Sequence, residues 1–182
     1  MINSFGNIEE RELIDGCVNG ERNAQRRLYE KFSPRMLAVC IRYVGDRETA
    51  KDVLQDAFIT LFNKIGTYKG DGSFEGWVRK IFVNTALMHI RKNDVLKFSE
   101  EIEAVNGNDL VDSNILEKLE SKDIMKLISE MPYGFRTVFN LYIFEGYSHQ
   151  EIAKALNISE GSSRSQLSRS RVWLRDKIKS RE

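Results

Sequence analysis

Proline is scarce in this chain, with two among 182 residues, and runs that alternate polar with apolar side chains are scarcer still. Few prolines remove the commonest helix breaker, and the lack of period-two patterning argues against sheets, so an almost all-helical fold is expected. Cysteine is nearly absent. Cys17 and Cys40 stand alone with no metal-spaced neighbours, and the two histidines, His89 and His149, are equally isolated in sequence. A zinc site or a disulfide framework is therefore not expected. No apolar run reaches the length of a membrane span, and the first residues have neither a basic nor an apolar region, so neither a membrane anchor nor a secretion signal is expected. The expected location is the cytoplasm. No phosphate-binding glycine loop, nucleophile elbow or paired catalytic carboxylate occurs, and the chain is not expected to be an enzyme, to need a cofactor or to bind a metal.

A net charge of only +1 hides a segregation along the chain. Residues 1–99 carry 16 basic and 13 acidic side chains, residues 100–160 carry 5 and 12, and residues 161–182 carry 7 and 2. The resulting blocks of +3, −7 and +5 make a poor general DNA binder with one local basic surface. Hydrophobic content of 41% beside 30% charged residues fits a folded, soluble chain.

The last 35 residues are the most specific. Ser148 with Glu151 forms a capping box, and Ile152, Ala153 and Leu156 follow on one helical face. Asn157 suits a tight turn. Ser159 caps a second helix on which Leu167, Leu174 and Ile178 face inward, while Arg164, Ser165, Ser168 and Arg169 point elsewhere. Seven basic residues and six serines lie between Gly161 and Arg181. A capped helix, a short turn and a basic second helix form a helix-turn-helix, whose second helix enters the DNA major groove. Arginine pairs with guanine, and both arginine and serine bond phosphates. A solvated basic helix at a chain end would carry the same charge but does not account for the capped helix before it.

Upstream, helices are expected over 9–18, over 21–44 with Leu28, Phe32, Leu37 and Ile41 inward and a kink or new turn at Pro34, over 46–65 capped by Asp46, and over 74–91. Asp52, Gln55 and Asp56 fall on one face of the third helix, with Phe58 nearby, and Val53, Leu54, Ala57 and Leu61 form its buried side. On spacing alone an ordinary solvated face is the favoured reading of the first group. A loop with three glycines, 66–73, leads into a segment that mixes Phe74, Trp77 and Phe82 with Arg79, Lys80, Arg91 and Lys92. Aromatics beside cations suit single-stranded DNA, although Trp77, Ile81 and Phe82 read more simply as core. The acidic, turn-rich stretch 95–114 reads as a linker, followed by helices over 115–131, over 133–145, and then the helix-turn-helix.

The order Asp-x-x-Gln-Asp-x-Phe, loop, Phe-x-x-Trp-x-x-x-Ile-x-x-Asn, acidic linker and terminal helix-turn-helix resembles a bacterial RNA polymerase sigma factor of the extracytoplasmic-function type. The resemblance covers about 10–94 and 115–180. It implies two small helical domains, 1–94 and 115–182, joined by a flexible acidic linker. It implies that Asp52, Gln55, Asp56 and Phe58 dock on the clamp helices of core RNA polymerase, with the polymerase flap as a second docking point. Tyr68 and Lys69 of the loop, with Arg79, Lys80, Asn84, Arg91 and Lys92, would capture and hold the minus-ten promoter element. Arg164, Ser165, Ser168, Arg169 and Arg171 would read the minus-thirty-five element. Many relatives carry a valine and a bulky residue where this chain has Ser163 and Ser168. The family is usually held inactive by an anti-sigma factor, a further expected partner. A stand-alone regulator that binds an operator as a dimer would explain residues 148–178 equally well but leaves the Asp52–Phe58 face without a role.

The linker reading predicts that limited proteolysis cuts first within 95–113, where no buried face is expected, and leaves fragments near 1–95 and 115–182. First cleavage inside 46–92 would contradict this division.

Overall fold

The computed structural model describes residues 8–94 and 121–180. The chain divides into two compact units, Met1–His89 and Ile90–Glu182. All regular structure among the described residues is helical. The stretch 95–114 and the start of the helix expected at Ile115 lie outside the described residues.

In the first unit, α1 (Ile8–Val18), α2 (Arg22–Val44), α3 (Arg47–Lys64) and α4 (Phe74–Asp94) run in order, with a 3-10 turn (Ile65–Thr67) after α3. Local chemistry sets the corner between α2 and α3. Gly45 takes the left-handed conformation (φ 90°) and its N–H donates to the Ile41 carbonyl, closing α2. Asp46 then accepts from the Thr49 N–H at 2.8 Å and opens α3. α1 packs on α2 and α2 on α3.

Pro34 does not end α2, which is assigned as one helix through it. The inward stripe therefore continues in unbroken register as Leu28, Phe32, Met36, Val39, Cys40 and Tyr43. Leu37 and Ile41, expected inside, are only half-buried. In the continuous helix Met36, Val39, Cys40 and Tyr43 occupy the inward positions instead. Cys17 and Cys40 are buried as free thiols, and burial pushes the Cys40 thiol up to about 12.

The core of this unit is aromatic. Phe58 of α3 contacts Tyr29 of α2 at 4.6 Å between centroids and Phe82 of α4 at 5.0 Å. Phe32 meets Phe74 edge-on at 5.8 Å. Val53, Leu54, Ala57 and Leu61 are buried as expected. On α4, Phe74 and Phe82 are buried, but Trp77 and Ile81 are half-buried rather than core.

The second unit contains α5 (Ser121–Glu130), α6 (Tyr133–Phe139), a π-helical turn (Asn140–Phe144), α7 (His149–Leu156) and α8 (Glu160–Lys179). α8 packs against α5, α6 and α7. Leu127, Ile128, Val138, Leu141, Ile152, Leu167, Leu174 and Ile178 are buried. Pro132 precedes α6, and the Arg136 guanidinium donates to the Ser129 carbonyl at 2.6 Å, satisfying an end of α5. The expected helix 133–145 thus widens into a π turn over its second half, before Gly146.

Phe58→Ala should destabilise the first unit by about 3–5 kcal/mol, the usual cost of emptying a phenyl-sized site. Ile59→Ala, one residue on and 60% exposed, should stay within about 0.5 kcal/mol. Urea unfolding followed by Trp77 fluorescence in a Trp173→Phe chain measures both.

Candidate polymerase and promoter interfaces

α3 presents its polar face as the sequence predicts. Asp52, Gln55 and Asp56 are all exposed. Phe58 is not part of that face. Its ring is 4% exposed and packed among Tyr29, Phe62 and Phe82, because it lies four residues from Leu54 and widens the buried stripe to Val53, Leu54, Ala57, Phe58 and Leu61. The apolar group on the outside is Ile59, at i+3 from Asp56 and i+4 from Gln55. Tyr29, also partly exposed, stands on α2 with its ring against Phe58. The period of α3 carried the signal for Ile59, since it falls on the same face as Asp52, seven residues back.

The loop 66–73 is braced by its own aromatics. The Tyr68 hydroxyl donates to the Gly72 carbonyl at 2.8 Å. Its ring lies 5.2 Å from Phe74 and 5.5 Å from Trp77. Burial, with Glu10 and Asp71 adding, holds the Tyr68 phenol above its ordinary value, so it stays protonated and able to donate. Gly70 and Gly72 both take positive φ, 81° and 84°, which lets the chain double back over so short a span. Lys69 is exposed beside them.

Along α4, Lys80, Asn84 and Arg91 are exposed and share one face by their spacing of four and seven. Lys92 is exposed next to Arg91, whereas Arg79 is half-buried. Met88, 68% exposed, lies on the same face between Asn84 and Arg91 and was not picked out from the sequence. Thus the structure gathers Lys80, Asn84 and Arg91 into a polar stripe and sets Arg79 to its side.

The C-terminal helix pair is built from its caps. Ser148 and Glu151 form the full capping box, with the Glu151 carboxylate accepting from the Ser148 N–H at 2.8 Å. Asn157 takes the left-handed conformation (φ 56°) in the turn. Ser159 caps α8 by accepting from the Ser162 N–H at 2.9 Å. Leu167, Leu174 and Ile178 are buried as expected, together with Ser163, Gln166 and Ser170. Arg164 is exposed and paired with the Glu160 carboxylate one turn back. Ser165, Ser168, Arg169 and Arg171 are half-exposed along the same helix. His149, at the start of α7, reaches across to α8: its Nδ1 lies 2.9 Å from the Ser163 hydroxyl. Ser163 precedes Leu167 by one turn on the inward stripe, which is the sequence signal that a polar side chain there needs a buried partner.

A helix-turn-helix that follows a helical unit with an exposed acidic face is a specific arrangement, and it has matches among known proteins. Residues 28–95 match the family model for sigma-70 region 2, and residues 121–174 match that for sigma-70 region 4. The chain belongs to the sigma-70 family, of the extracytoplasmic-function type. This sigma factor is 29% identical over 174 residues to the RNA polymerase sigma-H factor of Pseudomonas aeruginosa, covering 90% of each chain. It is 24% identical to the ECF RNA polymerase sigma-E factor of Haemophilus influenzae, over 94% of this chain and 96% of that one. Its fold is similar to that of the sigma factor RpoE from Bartonella quintana, solved in complex with the anti-sigma factor NepR (TM-score 0.51, 19% identity, 85% of this chain and 96% of that one).

If the Tyr68 hydroxyl braces the loop of this sigma factor, Tyr68→Phe should speed amide hydrogen exchange over 69–73 and leave α3 and α4 protected. Removing one exposed hydrogen bond costs about 0.5–1.5 kcal/mol, enough to register as a local opening but not as unfolding.

Proposed function

We propose that this sigma factor binds core RNA polymerase through the α3 face, with Asp52, Gln55 and Asp56 around Ile59, and directs it to promoters read at two elements. Residues 1–94 form the domain that docks and opens the minus-ten element, 115–182 the domain that reads the minus-thirty-five element, and 95–114 the connection between them. One observation carries the reading: a single chain holds, in order, a region 2 match with an exposed acidic face and a region 4 match with a capped helix-turn-helix. An operator-binding dimer would need only the second.

The chemistry of each surface supports its role. Carboxylates beside an exposed aliphatic side chain suit a basic protein partner with an apolar centre. Lys69, Lys80, Arg91 and Lys92 suit backbone phosphates, with Arg79 beside them, while Asn84 offers both a donor and an acceptor to an unpaired base. Arg164, exposed in the first turns of α8, suits guanine O6 and N7. Ser165, Ser168, Arg169 and Arg171 follow on phosphates and base edges. Sigma factors act by binding rather than by chemistry of their own, so no catalytic residue is assigned. No helix among the described residues is long and apolar enough to cross a membrane, which agrees with work in the cytoplasm, where polymerase and promoters are. An anti-sigma factor is a further candidate partner, because the solved relative was captured with one.

Run-off transcription with core polymerase, with and without this chain, tests the function. Promoter-dependent transcripts should require the chain, and Gln55→Ala with Asp56→Ala should weaken polymerase binding while the helical spectrum is kept. Arg164→Ala should cost about 1–3 kcal/mol on a matched upstream element and less on a mismatched one. Tight binding of the free protein to a palindromic site, with no strand opening when polymerase is added, would support the operator-binding dimer instead.

A further inference from the structure

The first two turns of α8 are anchored without a single buried hydrocarbon side chain. From Glu160 to Gln166 the buried residues are Ser163 and Gln166, and apolar anchoring begins only at Leu167. Gln166 lies against Gly134 of α6, where an added Cβ would come within 3.2 Å of its amide nitrogen. Ser163 is 0% exposed, and its hydroxyl sits 2.9 Å from Nδ1 of His149. The other face of the same imidazole is covered by Tyr142 of the π turn, with ring centroids 4.8 Å apart and planes inclined at 25°. Three elements therefore meet through one ring: the π turn, the first residue of α7 and the first turns of α8.

An apolar anchor tolerates sliding, whereas a hydrogen bond is directional and short-ranged. Arg164 and Ser165 follow Ser163 directly, so any roll of this turn moves both of them against the groove. Nothing in the docking or base-reading roles assigned above uses His149. We propose that His149 and Ser163 are a positioning pair: their hydrogen bond, backed by Tyr142, sets the angle at which the recognition helix presents Arg164 and Ser165. This inference rests on the promoter-reading role of α8 and adds to it a pair that need touch no base. It also gives the buried Ser163 a reason to be polar.

The pair has a spectroscopic handle. The chain holds only two histidines, so His149→Phe identifies the second imidazole signal by its loss. Burial holds the His149 imidazole below its ordinary value, and the Arg164 guanidinium pushes it the same way; Glu160 opposes and Arg171 adds. Its ring nitrogen shifts should move in Ser163→Ala and be kept in Ser163→Thr, which retains the hydroxyl.

The deciding experiment uses the full chain with core polymerase on promoters randomised in the upstream element, with transcripts sequenced. His149→Phe keeps an aromatic ring on Tyr142 and removes both ring nitrogens, the hydrogen-bonding one included. It and Ser163→Ala should each flatten the base preference about fivefold, the factor that one net hydrogen bond is worth. Ser163→Thr should retain the preference, and polymerase affinity should be unchanged throughout. Unchanged preference in His149→Phe would overturn the proposal, as would lower overall transcription with the preference intact, which marks a merely structural role. If Ser163→Ala fails to fold, His149→Phe decides alone. A wild-type chain that shows no upstream preference with polymerase would instead remove the promoter-reading role on which the pair depends.

Discussion

Phe58 ties three helices together, and the polar surfaces of the first unit depend on that tie. Its ring meets Tyr29 from α2, Phe62 from its own helix and Phe82 from α4. A helix can offer Asp52, Gln55 and Asp56 to a partner only while its opposite side is held in one rotation, and here a large buried ring does the holding. Phe82 extends the same constraint to α4, whose outward stripe of Lys80, Asn84 and Arg91 is set by how the inward side is seated. The polar face of α3 and the polar stripe of α4, proposed to meet polymerase and promoter, are thus fixed against one aromatic cluster, in line with the rule that sites on rigid elements keep their geometry better than sites on loops.

The second unit solves the same problem with less hydrocarbon. Ile152, Leu156, Leu167, Leu174 and Ile178 hold the body of the helix pair, but the N-terminal end of α8 rests on Ser163, Gln166 and the close approach to Gly134. A partly polar interior is less forgiving than an apolar one, since a lost partner leaves a buried group unsatisfied. The capping network works in the same currency. Ser148, Glu151 and Ser159 satisfy helix-end amides that would otherwise need water.

Local signals were the legible part of this sequence. The Ser148–Glu151 box, the Asn157 turn, the Ser159 cap and the Asp46 cap each depend on residues within four positions, and each stands where the sequence placed it. The exposed Asp52, Gln55 and Asp56 followed from helical period alone. What was not legible depends on neighbours far along the chain. Phe58 looked available because its burial is decided by rings on α2 and α4. Leu37 and Ile41 were expected inward with Leu28 and Phe32, but the packing of α2 seats Met36, Val39, Cys40 and Tyr43 there instead. His149 and Ser163, 14 residues apart, show no pairing signal except a serine on an otherwise apolar stripe.

The ion pair between Arg164 and Glu160 bears on how a base would be read. In the free chain the guanidinium is already engaged by a carboxylate on the preceding turn. Taking a guanine edge is then an exchange of acceptors rather than the capture of a loose cation. Both partners of the pair are more than two-fifths exposed, so the bond given up is a weak one. The exchange is still unfavourable wherever the incoming acceptors are badly placed, because Arg164 can return to its own helix. A wrong base therefore competes with an intramolecular partner as well as with water. The right base faces the same internal competitor, so the pair lowers affinity by no more than the small worth of an exposed ion pair and leaves discrimination to the fit of the base edge itself.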